Sequence, residues 1–282
     1  SNLCRFCGCT TSLGRDNKSA DEYLGLVERE LSNWREAGMP KRLLRQIHLG
    51  GGSPNFLSAE QTARLGEIVR SFFDIADGCE FSAELDPRTL TPEKVEAFAK
   101  IGVNRASIGV QDTDEKVQKA INRVQPQSRN LEAVEWLRAN GILSINVDLI
   151  YGLPLQTRES FKNTLSDALG LKPARIALFG YAHVPWVKPA QKSLEKCGIP
   201  TSDEKAELFI LGKRTFEEAG YEFIGLDHFA KPGDELIKAR ENGTLHRNFQ
   251  GYSTRAGVDL FAVGLTSISE TKTSYRQNFK LM

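Results

Sequence analysis

The chain has 282 residues, of which 40% are hydrophobic and 26% are charged, and its formal net charge at pH 7 is +1. This composition is ordinary for a globular protein, and the length suffices for one barrel-sized domain or two smaller ones. The small net charge excludes a global attraction to nucleic acid or to an anionic membrane, and no apolar run is long enough to predict a membrane span.

The predicted elements alternate along the chain between amphipathic helices and short apolar strands. Helices are predicted at residues 20–37, 58–73, 91–100, 114–121, 128–140, 157–170 and 203–219. Strands are predicted at residues 43–49, 80–85, 104–110, 142–150, 175–181 and 221–226. Ser58 and Gln61 form a capping box at the start of the second helix, and Thr91 caps the third.

This alternation indicates an α/β fold. About six repeats of strand, loop and helix imply parallel strands joined by right-handed crossovers, which either a barrel or an open doubly wound sheet would satisfy. Gly-rich or polar residues follow nearly every strand, and the active sites of parallel barrels gather at the carboxyl ends of their strands. We therefore favour a barrel, complete or partial.

Three of the five cysteines lie close together, at Cys4, Cys7 and Cys9. Thiolates at this spacing can share one metal centre, and sulfur ligands favour iron–sulfur clusters, zinc or copper(I). The alternatives are a zinc knuckle, a disulfide framework or incidental thiols. A disulfide framework is typical of small secreted domains, whereas the rest of this long chain has only Cys79 and Cys197. Few, clustered cysteines favour the reducing cytoplasm.

Several polar residues lie where the predicted strands or helices end. Gly50-Gly51-Gly52-Ser53 would let the backbone approach a ligand, although it lacks the pattern of a P-loop or a Rossmann fingerprint and a tight turn is the alternative. Glu84 and Asp148 lie in otherwise apolar strands, where a carboxylate needs a partner or a polar cavity. Glu84 facing outward is the alternative, and for Arg123 the alternative is a surface salt bridge.

The four histidines do not point to a catalytic group. His48, His183, His228 and His246 show no metal-ligand spacing, and the chain has no hydrolase or metalloprotease signature. We therefore assign no catalytic residue from the sequence.

A set of short motifs then indicates a family. The chain contains, in order, Cys-x-x-Cys, a GGG-Ser-Pro turn, a strand Glu and the strings GVQD, NR, DLIYGLP, YAH, DHFA and HRNFQGY. Together they resemble the oxygen-independent coproporphyrinogen III oxidases of the radical S-adenosylmethionine (SAM) superfamily, over essentially the whole chain. The resemblance implies that residues 1–282 form a partial (βα)6-type radical SAM barrel with parallel strands. It also implies a monomeric, cytoplasmic oxidoreductase that binds a porphyrinogen substrate, with the electron donor left open.

The resemblance also assigns roles to the cysteines. In the superfamily signature Cys-x3-Cys-x2-Cys, Cys4 and Cys7 match the second and third positions as cluster ligands, and Cys9 matches a family residue that is not a ligand. The first signature cysteine would immediately precede Ser1. We therefore expect this sequence to be a fragment that lacks the first strand and the C-terminal helical domain of the family, and that alone does not hold a competent cluster.

The implied cofactors are a [4Fe-4S] cluster and two SAM molecules. In the family, reductive cleavage of SAM yields a 5′-deoxyadenosyl radical that takes a hydrogen from the β-carbon of a propionate. The resulting substrate radical loses carbon dioxide and one electron and becomes a vinyl group, and the motifs do not identify the final electron acceptor. Two propionates of coproporphyrinogen III react, which gives protoporphyrinogen IX in haem biosynthesis. The SAM contacts implied by the motifs are Phe6, Gly51, Gly52, Ser53, Glu84, Gln111, Arg123, Asp148, Ala182 and Ile268.

The propionate contacts are not indicated by the motifs, and His246 and Arg247 are candidates. A haem chaperone of the related radical SAM-like family is the alternative function. Such relatives typically carry Cys-Asp-Phe where this chain has Cys7-Gly8-Cys9, and they lack the string HRNFQGY at residues 246–252, so both features favour the enzyme.

Overall fold

The structure is a computed structural model that describes residues 3–9, 17–248 and 251–280. The helices of this part are α1 (Asn17–Glu36), α2 (Ala59–Phe72), α3 (Pro92–Ile101), α4 (Glu115–Ala120), α5 (Gln127–Ala139), α6 (Arg158–Gly170), α7 (Lys192–Glu195), α8 (Ser202–Glu218) and α9 (Glu235–Glu241). The strands are β1 (Arg42–Leu49), β2 (Phe73–Leu85), β3 (Arg105–Gln111), β4 (Ser144–Tyr151), β5 (Arg175–Gly180), β6 (Glu222–Gly225), β7 (His228–Ala230), β8 (His246–Asn248), β9 (Gly251–Ser253), β10 (Ile268–Glu270) and β11 (Tyr275–Gln277).

A seven-stranded sheet with the order β1-β2-β3-β4-β5-β7-β6 forms the centre of the fold. Strands β1 to β5 pair in parallel, each with the next in sequence. The predicted α/β class with parallel strands is therefore confirmed. The two pairs β8–β9 and β10–β11 are separate antiparallel hairpins.

The sheet departs from a simple parallel repeat at its last two strands. Strand β7 lies between β5 and β6 and runs antiparallel to both. The chain reverses just after β6, at Leu226, whose φ of 48° lies in the left-handed region. This tight reversal forms a hairpin that the sequence analysis did not predict.

The predicted helix starts are confirmed by their caps. The Ser58 hydroxyl accepts the N–H of Gln61, and the Gln61 side chain accepts the N–H of Ser58, so the capping box is complete. Thr91 accepts the N–H of Lys94 at the start of α3. These side chains satisfy amide groups that the first turn of a helix leaves without a partner.

Alternation along the strands divides the sheet into an apolar face and a polar face. In β3, Ala106, Ile108 and Val110 are buried, while the residues between them are half-buried. The apolar face packs against the helices in one large core that includes the fully buried rings of Phe98, Phe161, Phe216 and Phe229. The opposite face carries Glu84, Ser107 and Asp148, among others. Within the described residues, no helix has the length and hydropathy needed to cross a membrane.

Candidate functional site

The Gly-rich loop after β1 is held by a carboxylate of β2. Glu84 Oε2 accepts the backbone N–H of Gly51 at 3.2 Å, and Glu84 Oε1 lies 3.2 Å from His48 Nε2. The other ring nitrogen of His48 lies 2.8 Å from Ser82 Oγ. Glu84 thus has partners on the polar face, and its side chain is still 45% exposed. Glu84 is therefore a partly exposed carboxylate that has hydrogen-bond partners on this face.

Asp148 lies on the same face of β4. It accepts hydrogen bonds from Ser107 Oγ at 2.8 Å and from Asn146 Nδ2 at 2.7 Å. Burial is the main cause that raises the pKa of Asp148 to about 6. The hydrogen bonds from Ser107 and Asn146 act to lower the pKa, and the negative charge of Glu84 raises it further. The site therefore contains a carboxyl group that changes its protonation close to neutral pH.

Residues 3–9, here called the cysteine loop, pack against the edge of the sheet at which the parallel strands end. The backbone N–H of Arg5 donates to Ile121 O at 2.9 Å, just after α4. Gln191, which is 1% exposed, donates from one side-chain amide to Phe6 O at 2.8 Å and to Ala182 O at 3.3 Å. The Phe6 ring packs on a buried apolar cluster of Val117, Ile121, Ile150, Leu153, Tyr181 and Leu194. These contacts bring the loop to the ends of β3, β4 and β5.

Two arginines reach the thiol of Cys4. Arg88 Nη2 lies 3.6 Å and Arg123 Nη1 lies 3.5 Å from Cys4 Sγ. Both guanidinium groups also contact Asp86, and Arg123 Nη2 donates to Gly109 O at 2.6 Å. Arg123 is 7% exposed, so the alternative of a surface salt bridge is wrong. Its Nε is a buried donor without a partner in the described structure.

Cys9 forms hydrogen bonds to the sulfur of Cys7. Hydrogen bonding from the Cys9 side chain is the main cause that lowers the pKa of Cys7 to about 6, and it outweighs the opposing effect of burial. The backbone N–H of Cys9 contributes at 3.4 Å from Cys7 Sγ. The pKa of Cys9 is raised by the same pairing. Hydrogen bonding to Cys7 Sγ therefore favours the thiolate form of Cys7, and its role as a cluster ligand stays a prediction.

The remaining predicted residues lie on several different elements. Ser53 directly precedes a short 3-10 turn without a side-chain capping bond. Gln111 ends β3 with a φ of 68° beside a register shift to β4. Ala182 follows β5 and shares the amide of Gln191 with Phe6. Ile268 lies instead on the hairpin β10–β11, where it pairs with Gln277. Phe249 and Gln250 of the HRNFQGY string lie outside the described residues.

Three further side chains organise the site although no sequence pattern indicates them, namely Asp86, Arg88 and Gln191. In the sequence, Asp86 and Pro87 directly follow the strand predicted at residues 80–85. No local pattern distinguishes a carboxylate that joins two distant arginines from a carboxylate in a turn. Gln191 lies in a loop without a predicted element, and its contacts with Phe6 span 185 positions of the chain.

The comparisons define the family. Residues 1–168 match the family model described as the Radical SAM superfamily. This match covers more than half of the 282 residues, so the chain belongs to the radical SAM superfamily.

Within that superfamily, the chain is similar to enzymes of one name. It is 40% identical over 279 residues to the oxygen-independent coproporphyrinogen III oxidase of Synechocystis sp.. The aligned region covers 99% of this chain and 60% of that protein. It is 39% identical over 278 residues to the Escherichia coli protein of the same name, of which it covers 61%. The solved structure of the E. coli coproporphyrinogen III oxidase, described as a radical SAM enzyme, matches with a TM-score of 0.95 at 38% identity, over 99% of this chain and 64% of that one. The chain thus spans less than two thirds of the length of these relatives.

Membership of the superfamily implies a [4Fe-4S] cluster and SAM. The surroundings of Cys4 and Cys7, which match two of the three signature cysteines, suit ligands of such a cluster. Cys4 Sγ receives guanidinium N–H groups and Cys7 Sγ accepts the N–H of Cys9, and such hydrogen bonds favour the thiolate form that binds iron. All five cysteines are free, so the disulfide alternative is wrong. Within the described residues, no group of three or more His, Cys, Asp or Glu is arranged to hold a single metal ion. The assignment of Cys4 and Cys7 as cluster ligands stays a prediction.

Proposed function

We propose that this protein is a radical SAM oxidoreductase that converts coproporphyrinogen III to protoporphyrinogen IX in haem biosynthesis, by oxidative decarboxylation of two propionate side chains. The similarity to coproporphyrinogen III oxidases over 99% of the chain supports this substrate. The observation that carries the proposal is the docking of the cysteine loop, because it places Cys4 against Arg123 at the carboxyl edge of the sheet.

Cys4 and Cys7 are the proposed cluster ligands of this chain. When bound, the reduced cluster and SAM supply the radical chemistry that removes a hydrogen from a propionate β-carbon. The protein holds the thiolates in place through the Arg5 and Phe6 backbone, and it supplies positive charge at Cys4 through Arg123. Donors to sulfur and nearby charge are the means by which a protein tunes such a centre.

The proposed SAM contacts surround the same edge. Glu84 holds Gly51 and keeps an exposed carboxylate surface, whose remaining lone pairs suit an ammonium or a ribose hydroxyl. The Nη atoms of Arg123 contact Asp86, Gly109 O and Cys4 Sγ, whereas its Nε has no partner in the described structure and is the donor available to the carboxylate of SAM. The proposal includes two SAM molecules. Their proposed contacts are Phe6, Gly51, Gly52, Ser53, Glu84, Gln111, Arg123, Asp148, Ala182 and Ile268.

Binding of the substrate carboxylates by the hairpin β8–β9 is a further part of the proposal. His246 and Arg247 are exposed on β8, and the Arg247 guanidinium lies 5.9 Å from the centre of the Tyr252 ring. The Tyr252 ring in turn lies 5.3 Å from the His228 ring at the start of β7. This chain of contacts supports the hairpin as a surface near the site that offers positive charge to propionates.

The proposed setting is a monomer in the cytoplasm. The free state of all five cysteines is consistent with a reducing compartment. Light scattering of the purified full-length protein tests the monomer, and fractionation of cells tests the compartment.

The decisive experiment is an anaerobic assay of the reconstituted full-length protein with coproporphyrinogen III, SAM and a reductant. We expect protoporphyrinogen IX together with methionine and 5′-deoxyadenosine. Cys7→Ser is the control and is expected to abolish all three products. Tight haem binding without turnover would instead support the chaperone, and bound zinc without iron or sulfide would support a zinc module.

A further inference from the structure

Asp86 joins two arginines at the cysteine loop. Arg88 forms a bidentate pair with it, with Nη2 2.7 Å from Oδ2 and Nε 3.0 Å from Oδ1. Arg123 approaches the same carboxylate from a different element, with Nη2 3.4 Å from Oδ1 and Nη1 3.5 Å from Oδ2. One N–H group of each guanidinium also points to Cys4 Sγ, at 3.6 and 3.5 Å.

The group is partly shielded from water and its carboxylate is fixed. The side chains of Asp86, Arg88 and Arg123 are 11%, 19% and 8% exposed. The fully buried Asn55 fixes the Asp86 backbone, because its Oδ1 accepts the Asp86 N–H and its Nδ2 donates to Asp86 O, both at 2.9 Å. A carboxylate held in this way can orient two long side chains that would otherwise sample several rotamers.

From this geometry we infer that Asp86 is a positioning residue that holds Arg88 and Arg123 in place, so that both guanidinium groups donate hydrogen bonds to the cluster-ligand thiolate of Cys4. Arg88 is the second donor and has no other assigned role. The inference rests on the cluster ligands named under the proposed function, and it does not depend on the porphyrinogen substrate.

Such donors would affect the midpoint potential of the cluster. Reduction adds negative charge to an iron–sulfur cluster, and hydrogen bonds to its sulfur ligands together with nearby positive charge stabilise the reduced state. Two arginines and one carboxylate leave one net positive charge beside Cys4. Loss of either donor is therefore expected to lower the midpoint potential of the cluster.

The alternative is that Asp86 and Arg88 form a local ion pair that stabilises the turn after β2 and has no effect on the cluster. The two roles predict opposite changes in the midpoint potential when the charge of Asp86 is removed. Removal of the negative charge of Asp86 would by itself raise the potential. If Asp86 positions the arginines, its removal releases both donors from Cys4 and the potential falls.

The test uses the full-length protein, reconstituted anaerobically, as wild type and as Arg88→Gln, Arg88→Lys, Asp86→Asn and the control Arg64→Gln. Arg64 pairs with Glu28 on the helices at the surface, so its replacement removes one positive charge without touching the site. The potential is measured by redox titration followed by electron paramagnetic resonance. Iron and sulfide content and the resonance Raman iron–thiolate stretch are measured on the same samples.

We expect Arg88→Gln to shift the one-electron reduction equilibrium by about tenfold, which corresponds to a fall of about 59 mV. Arg88→Lys keeps the charge but not the fork and should give a smaller fall, and Arg64→Gln should give none. Asp86→Asn should lower the potential despite the loss of a negative charge, and Arg88→Gln should shift the iron–thiolate stretch.

A wild-type potential and stretch in Arg88→Gln would overturn the inference, and so would a raised potential in Asp86→Asn. If Asp86→Asn does not retain a cluster, the two Arg88 variants decide the question. The measurements need no substrate, so a protein that fails to convert coproporphyrinogen III still tests the inference. A protein that binds no cluster as wild type would contradict the proposed ligands instead.

Discussion

His48 and Glu84 lie side by side on neighbouring strands, with His48 Nε2 3.2 Å from Glu84 Oε1. The second oxygen of Glu84 accepts the N–H of Gly51, so one carboxylate connects the end of β1 with the loop that follows it. Ser82 lies 2.8 Å from the other ring nitrogen of His48. The Gly-rich loop is therefore held by side chains of the polar face of the sheet.

We expect Glu84→Ala to lose affinity for SAM while it retains its iron. A hydrogen bond from a charged group is worth about 1.5–3 kcal/mol, or roughly one to two decades in the dissociation constant. Calorimetric titration of SAM into the reconstituted full-length protein measures the change. Glu84→Gln keeps the shape and one acceptor and should lose less. Equal affinity in all three proteins would remove Glu84 from the SAM site.

The glycines of the loop differ in the space around them, which allows a matched pair of variants. A Cβ at Gly50 would lie 2.9 Å from Glu84 Cδ and even closer to the His48 ring, whereas a Cβ at Gly52 meets no atom within 4 Å. Gly50→Ala should therefore push the His48–Glu84 pair apart. We expect it to destabilise the protein by about 1–3 kcal/mol, the usual range for overpacking.

Gly52→Ala is the matched control and should unfold at the same denaturant concentration as wild type, since Gly52 does not require a positive φ. Urea unfolding of the three proteins measures the difference. Equal stability of Gly50→Ala and Gly52→Ala would mean that the loop moves aside at no cost, and that the His48–Glu84 pair does not hold it rigidly.

The elements of the fold were predictable where their signals are local. Ser58 with Gln61 and Thr91 with Lys94 give the helix starts because capping depends on residues three positions apart. Strand β7 was not predicted because it has only three residues and follows a reversal at Leu226, so it carries no periodicity of its own.

The site was predictable to a smaller degree. Glu84 stood out because a carboxylate in an apolar strand needs a partner, and the structure supplies partners in His48 and Gly51. Asp86 did not stand out, because its role depends on Arg123, which is 37 positions away along the chain. Burial and pairing at that distance result from the fold, and neither residue type nor spacing indicates them.

We expect Arg123→Lys to reduce cleavage of SAM clearly. A lysine offers a point charge on a flexible chain, so it would not contact Gly109 O, Asp86 and Cys4 Sγ at the same time. The buried carboxylate of Asp86 would keep Arg88, so we expect a loss of stability of only about 1–3 kcal/mol.

Methionine release on reduction of the reconstituted full-length protein measures cleavage, and thermal unfolding shows whether the fold persists. Arg138→Lys on α5 is the control, because Arg138 binds only the carbonyl groups of Leu171 and Lys172 in the described contacts. A wild-type rate of methionine release in Arg123→Lys would exclude Arg123 from the site.

The raised pKa of Asp148 predicts a specific dependence of stability on pH. Burial, together with the charge of Glu84, raises the pKa of Asp148 from 3.8 to about 6. Between these two values the folded protein keeps a proton that the unfolded chain has lost. The free energy of unfolding contributed by Asp148 is therefore largest below pH 3.8 and decreases as the pH rises through about 6, at up to about 1.4 kcal/mol per pH unit.

Asp148→Asn removes this titration and keeps a side chain of nearly the same shape. The Ser107 hydroxyl, which donates to Asp148 Oδ2, can rotate to accept from the asparagine amide, so the variant should fold. Urea unfolding of both proteins between pH 4 and 7.5 gives the difference in free energy of unfolding. We expect the wild type to lose stability relative to Asp148→Asn as the pH rises to about 6, and to show no further relative change above it. Groups such as Cys7 titrate in both proteins and cancel in the difference. A difference that stays constant across the range would mean that Asp148 is ionised throughout, and that the polar face solvates its charge.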